Sequence, residues 1–498
     1  MVDFFGILGY NNGNYKNRKG MIELKENRLP DSRDNKMRTM PIGRLLFTMA
    51  LPLALSMLVQ AFYNVVDSYF VSLVSEDAVT ALSFAFPIQN LQIGCATGIA
   101  VGMNSLLSKS LGEGNQENAN KAAGNGILLT FILIAMFMVF GFVGVKPYYS
   151  VFGANEATTN YGIDYTSICT IFTLGIFVEI LGERLLQASG RTVYTLFTQG
   201  TGAIINIILD PIFILGSQGL SETMGIQLPF YVPRMEVAGA AIATVIGQWV
   251  AAIMAVIFNL TSNPDVSFRF RYLKLQKETV RKILSVGIPS MIMMAIGSVM
   301  NFCMNQIFMG FRETYGQTPA TVFGVYFRLQ SFFLMPLFGI NNASISIIAY
   351  NYGAREPQRI KKTLRLALCS AMVIMLVGLS VFQIFPNVLM GIFASAEGSG
   401  NLVKFGISAL RIVSLHFPIA AVGIAIGASF QALGNGIYST ITSLCRQLVV
   451  LVPAAYLLSL TGSVDAVWWS FPLAEIVSAT LTVIFYLRIY KQKLKPML

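Results

Sequence analysis

The sequence predicts an all-α polytopic membrane protein, with twelve transmembrane helices in two six-helix lobes. Three observations carry this. Of 498 residues, 54% are hydrophobic and 12% charged, with a mean hydropathy of +0.63. Soluble domains carry about 25% charged residues, so this chain lacks the polar surface that several soluble domains would need. Twelve apolar stretches are each long enough to cross a hydrocarbon core about 30 Å thick with about 20 residues. Finally, the second half of the chain repeats the first.

The elements follow in order. Residues 1–43 are polar, Asn-rich and basic. They lack the apolar core of a signal peptide and are expected to form a disordered tail. The N-terminal lobe covers 44–260, with spans at 44–72, 79–107, 122–145, 161–187, 195–217 and 236–260. A basic linker, 261–280, leads to the C-terminal lobe, 281–490, with spans at 281–310, 320–348, 362–385, 404–430, 440–460 and 467–488. Residues 491–498 form a short basic tail.

The repeat is visible residue by residue. Gln187-Ala188-Ser189-Gly190 with Val193-Tyr194-Thr195 matches Gln431-Ala432-Leu433-Gly434 with Ile437-Tyr438-Ser439, a shift of 244. At a shift of 241, Thr80, Phe86, Gln89, Gly98, Ser105 and Gly112 fall on Thr321, Phe327, Gln330, Gly339, Ser346 and Gly353. At a shift of 237, Pro52 and Asn64 fall on Pro289 and Asn301. Each half has an even number of spans, so the repeat is parallel, with a pseudo-twofold axis along the membrane normal. Such an architecture places a cavity between two lobes and supports alternating access by rocking them.

The net charge of +11 is a topology signal. Of 35 Lys and Arg, 28 fall on one side of the span map; Lys146, Arg234, Arg312 and Lys404 fall on the other, and Arg328, Arg411 and Arg446 lie within spans. The positive-inside rule then places both termini in the cytoplasm, and no nucleic-acid partner is expected. The five cysteines lie in apolar spans without CxxC spacing, and His416 is the one histidine. Neither a disulfide framework nor a metal site is expected.

Ionisable side chains inside a membrane are functional candidates by default. Asp67 shares a face of span 1 with Gln60 and Asn64, and Asp210 lies one turn from Asn206 on span 5. Both acids fall in the outer halves of their spans. Two carboxylates at similar depth, each with an amide partner, can share a proton or ligate a small hard cation. Their counterparts in the repeat are Met304 and Ala454, so coupling chemistry should be confined to the N-terminal lobe. Glu179 and Glu183, one turn apart in the cytoplasmic half of span 4, are expected to form a structural or gating ion pair with Arg184 or Arg446. Arg328, Arg411 and Glu475, each about two turns inside the outer end of its span, are expected to form a structural ion-pair cluster. Pro52 lies fifteen residues before Asp67, about 22 Å along a helix, and marks a kink or hinge. The methionines crowding span 7 read as apolar filler.

Taken in order, these residues resemble the multidrug and toxic compound extrusion (MATE) family over residues 41–490. The features are Leu51-Pro52 with Gln60 and Asp67, the Ser105–Gly112 segment, and Gln187-Ala188-x-Gly190. Asn206-x-x-Leu209-Asp210-Pro211, Gly239-Ala240-Ala241-Ile242-Ala243-Thr244 and Tyr350-Asn351-Tyr352-Gly353-Ala354 follow, with Gln431-Ala432-x-Gly434 and Arg446 at the end. The resemblance implies a V-shaped transporter in a bacterial cytoplasmic membrane. It would be a monomer without cofactor, exchanging H⁺ or Na⁺ for amphipathic, often cationic compounds. The N-lobe pattern is similar to the DinF-type branch. That likeness nominates Asp67, Asn206 and Asp210, with Asn64, as the coupling site. Gln60, Tyr63 and Thr244 would be cavity neighbours, and Pro52 a bend that responds to loading. The NorM-type branch carries acids in its seventh and tenth helices, and spans 7 and 10 here have none. A lipid-linked oligosaccharide flippase of the same superfamily is the alternative, for which a basic cavity would be expected. No clustered nucleophile, His or metal ligand points to an enzyme, and no pore signature to a channel.

Overall fold

The computed structural model describes residues 35–151, 155–316, 318–391 and 400–497. No strand occurs among the described residues. Among the described residues ten helices are long and apolar enough to cross a membrane, and two further pairs, each bent by 47° at a short break, bring the number to twelve when each pair is counted as one span. Spans 1 to 6 are Ile42–Ser72, Glu76–Gly112, Gln116–Val143, the bent pair Glu156–Ile171 with Leu174–Ala188, Val193–Met224 and Glu236–Ser262. Spans 7 to 12 are Lys277–Met309, Thr318–Gly353, Pro357–Ile384, the bent pair Leu402–Ser414 with Phe417–Ala432, Gly436–Ser459 and Val464–Met497.

The repeated Gln-Ala-x-Gly motif has a local cause. It ends spans 4 and 10, and its glycines, Gly190 (φ 80°) and Gly434 (φ 75°), take the left-handed backbone that stops a helix cheaply. The hydrogen bonds repeat too: Arg191 N–H donates to the Leu186 carbonyl and Asn435 N–H to the Phe430 carbonyl, both at 2.7 Å.

The halves are bound by crossings that obey the pseudo-twofold. Span 2 crosses span 7 at Gly98, where a Cβ would stand 2.7 Å from the Gly287 carbonyl oxygen. Span 8 crosses span 1 at Gly339, where a Cβ would stand 2.6 Å from Ala54 N. Small residues let the backbones approach, as in other membrane bundles. Spans 2 and 8 meet at their ends: Gly112 packs on the Tyr350 carbonyl and Gly353 on the Lys109 carbonyl. Nearby, Ser105 Oγ donates to the Gln431 carbonyl at 2.9 Å and Ser346 Oγ to Asn104 Oδ1 at 3.1 Å. Arg38, Lys109, Arg355 and Lys493 line one cleft, so this closed crossing shares one face of the bundle with both ends of the described chain. We call it the terminal face.

Ahead of span 1 the structure corrects the expectation of disorder up to residue 43. Asn35 Oδ1 caps a one-turn helix, Lys36–Thr39, by accepting from Met37 N–H at 2.9 Å. Met37 is fully buried in an apolar cluster with Leu45, Leu107, Leu185 and Tyr350. Arg359 donates to the Met37 and Met40 carbonyls at 2.9 and 2.8 Å and to Asn351 Oδ1 at 2.9 Å. One apolar residue in a polar tail carries no periodic signal; its burial is a tertiary event. The interlobe linker is likewise pinned, since Asn120 and Asn125 accept from Ser267 and Gln276 N–H at 2.8 Å.

Pro52 is buried inside a helix that runs unbroken from Ile42 to Ser72. Its carbonyl accepts from Ser56 Oγ at 2.8 Å. The C-terminal lobe is filled by an aromatic core in which Phe308 stacks on Trp468 with ring centroids 4.3 Å apart.

Candidate functional site

A cavity of about 630 Å³ opens between the lobes. Span 1 supplies Gln60, Tyr63, Asn64 and Asp67, whose spacing sets them on one helical face. Asn206 of span 5 and Thr244 of span 6 complete the neighbourhood expected from sequence. Span 2 adds Ser83 and Asn90, two turns apart on one face, with Gln89 beside them. Among the lining residues, all but Arg328 belong to the N-terminal lobe. The repeat led to the expectation of a cavity between two lobes; its wall comes almost wholly from one of them.

Spans 5 and 6 can bring Asn206 to Thr244 because glycines face one another across their contact. A Cβ on Gly247 would stand 2.7 Å from the Gly202 carbonyl oxygen. At this crossing Asn206 Nδ2 donates to Asp210 Oδ1 at 3.1 Å and lies 3.2 Å from Thr244 Oγ1. Asp210 is fully buried behind Asn206 and outside the cavity lining, whereas Asp67 lies in the wall.

Three acceptors here have no donor: Asp67 Oδ1, Asp210 Oδ2 and Asn206 Oδ1. Buried polar atoms are normally satisfied, so a cluster of unsatisfied oxygens is chemically unusual. A proton on a carboxyl would supply a donor; a small hard cation would supply a centre for oxygen ligands. No group of three or more His, Cys, Asp or Glu among the described residues could hold a metal. Asn64 is exposed in the cavity wall, one turn from Asp67. In the opposite lobe Met304, the repeat counterpart of Asp67, is sealed in the apolar core.

Several charged residues are placed differently from the expectation. Glu183 forms no ion pair with Arg446: its oxygens accept from Thr198 Oγ1 at 2.7 Å and Gln199 Nε2 at 3.0 Å. Arg184 donates to Gln187 Oε1 at 3.0 Å. Glu179 lies in the cavity wall, so it belongs with Asp67. The reason is shape: the cavity runs down the inner face of span 4 past the depth at which Glu179 had been set aside.

The expected Arg328–Arg411–Glu475 cluster is not formed. Glu475 instead faces Arg446 (Nη1 to Oε1, 3.6 Å) and His416 (Nδ1 to Oε2, 3.8 Å), and His416 Nε2 lies 3.0 Å from the Tyr326 hydroxyl. Arg446 reaches it from a π-helical segment, Cys445–Val450, a register change that the sequence does not announce. Arg411 is exposed and Arg328 faces the cavity. Gln89, read in the sequence only as a marker of the repeat, lines the cavity, and its Nε2 lies 3.0 Å from the Tyr165 hydroxyl.

Comparisons with known proteins agree with the fold. The FAD transporter of Shewanella oneidensis is 27% identical over 438 residues, covering 88% of this chain and 92% of that protein. The multidrug export protein MepA of Staphylococcus haemolyticus is 24% identical, covering 88% and 92%. Among solved structures, an outward-facing conformation of a multidrug resistance MATE family transporter superposes with a TM-score of 0.83 at 23% identity, covering 93% and 98%. A transporter of the MOP superfamily from Pyrococcus furiosus, described as having a binding pocket of reverse polarity, gives a TM-score of 0.82 at 23% identity, covering 92% and 98%. The MatE family model matches residues 52–212 and 289–457, one stretch in each lobe, and the chain belongs to the multidrug and toxic compound extrusion family of membrane transporters.

Proposed function

We propose that the chain is a secondary active antiporter of a bacterial cell membrane that exports amphipathic compounds in exchange for inward H⁺ or Na⁺. The observation that carries this reading is the set of donor-less buried oxygens on Asp67, Asn206 and Asp210 beside the cavity. The terminal face is taken as cytoplasmic from its basic connections. With the lobes closed there, the cavity faces outward, the state from which substrate leaves and the coupling ion enters.

Loading would then work through span 1. A proton or cation on Asp67 removes an uncompensated charge from the cavity wall and changes what its face packs against. Substrate affinity falls, and the lobes are free to rock about the glycine crossings. Pro52 is the position at which span 1 bends most readily, since it removes a backbone donor.

The test is ethidium efflux from proteoliposomes under an imposed pH gradient and, separately, an imposed Na⁺ gradient. At least one gradient should drive efflux, and Asp67→Asn and Asp210→Asn should each abolish it while the protein still inserts. Efflux indifferent to both gradients, or normal in either variant, overturns the coupling assignment.

A further inference from the structure

Arg328 is the one cation in the cavity wall and the one residue that the C-terminal lobe contributes to it. Its side chain is exposed, and it has neither an ion pair nor a hydrogen bond among the described residues. It lies ten residues past the start of the Thr318–Gly353 helix, about 15 Å along the axis. An unpaired charge held at that depth opposes insertion and calls for a function.

Its placement is rigid. Tyr326, across the same helix from Arg328, and the flanking Val325 and Leu329 are buried in the aromatic core, and Tyr326 is tied to His416. The exposed side chain of Arg328 is thereby left in the cavity wall.

We propose that Arg328 is an anion-binding subsite, so that the cavity takes an aromatic or heteroaromatic solute bearing a phosphate or carboxylate. The proposal rests on reading the cavity as the transport site. A guanidinium keeps its charge at any working pH and presents a planar fork that fits either anion bidentately. The rest of the cavity suits the body of such a molecule. The Phe86 ring is exposed in the wall and offers a stacking face. Gln60, Asn64 and Asn90 carry both donors and acceptors for the edge of a heterocycle. Asp67 and Glu179, on the facing lobe, repel the anionic end and so fix the orientation.

The competing reading is that Arg328 pairs with Asp67 or Glu179 in another conformation. The two readings separate in a binding experiment that needs no ion gradient, so its outcome does not depend on antiport. The full chain in detergent micelles is titrated against riboflavin and riboflavin 5′-phosphate, following quenching of flavin fluorescence. The two probes share one ring system and differ by the phosphate. The intact protein should bind the phosphate form about tenfold more tightly or better, the size of one charge-assisted pair. Arg328→Gln should bring that ratio towards one with riboflavin binding unchanged, and Arg328→Lys should keep part of it. Equal weakening of both probes by Arg328→Gln, no preference in the intact protein, or no binding of either flavin overturns the proposal. Displacement of the flavin phosphate by phosphatidylglycerol at equal concentration would assign the subsite to a lipid headgroup and overturn it as well.

Discussion

Replacing Gly112 with alanine should open the terminal face. In the structure the new Cβ would be driven into the Tyr350 carbonyl, standing 2.8 Å from its carbon and 3.0 Å from Ala354 N. These are backbone atoms of the facing helix and cannot swing aside as a side-chain tip can. Relief requires the helices to part by about 1 Å to restore ordinary van der Waals separation. Overpacking of this kind costs about 1–3 kcal/mol. Residue 112 belongs to the helix whether the crossing is closed or open, so alanine's helix preference cancels between the two states, and about 1–3 kcal/mol against the closed one is a shift of about 5- to 150-fold. By the pseudo-twofold, Gly353→Ala should do the same, since its Cβ meets the Lys109 carbonyl. Gly200→Ala is the control: it lies inside a helix with nothing within 4 Å of its added carbon, so only the helix gain remains. The assay is the spin-label distance between exposed positions 118 and 358 on the two lobes, in a background with the five native cysteines replaced. A longer-distance population should grow with Gly112→Ala and Gly353→Ala but not with Gly200→Ala. Unchanged distances in both crossing variants would refute the view that this glycine pair holds the face shut.

Two further outcomes follow from buried polar contacts. Arg359→Ala removes the donors to Met37, Met40 and Asn351; amide exchange over residues 36–40 should accelerate about tenfold or more, with no change in span 5. Unaltered exchange would show that Met37 burial alone holds the segment. Arg446→Leu strands Glu475, whose side chain is 5% exposed, and should lower stability in detergent by about 3 kcal/mol. Arg446→Leu combined with Glu475→Leu should recover much of that loss, because no buried charge is left unpaired. If the double variant is less stable than the single one, the pair is not the partner set for Glu475.

How far the site could be read in advance differs residue by residue. Gln60, Asn64 and Asp67 were legible because helical spacing puts them on one face, and Asn206 and Asp210 because they are polar in an apolar span. Glu179 was misplaced because depth along a helix says nothing of how far a cavity reaches between helices. Glu475 was given the wrong partners for the same reason. Its neighbours Arg446 and His416 come from other spans, one through a π-helical turn and one through a helix break. The burial of Met37 was not legible because a single apolar side chain has no period.

What the chain determined by itself is the membrane class, the twelve spans, the duplication and the asymmetry of its acids. All of these are properties of composition and order along one dimension. The tertiary structure decided that Asp210 sits behind Asn206, that the cavity wall is drawn almost wholly from the N-terminal lobe, and that Arg328 is the one residue of the other lobe in it. Whether a polar atom is satisfied depends on what another helix brings within about 3 Å, and that distance is set only when the helices pack.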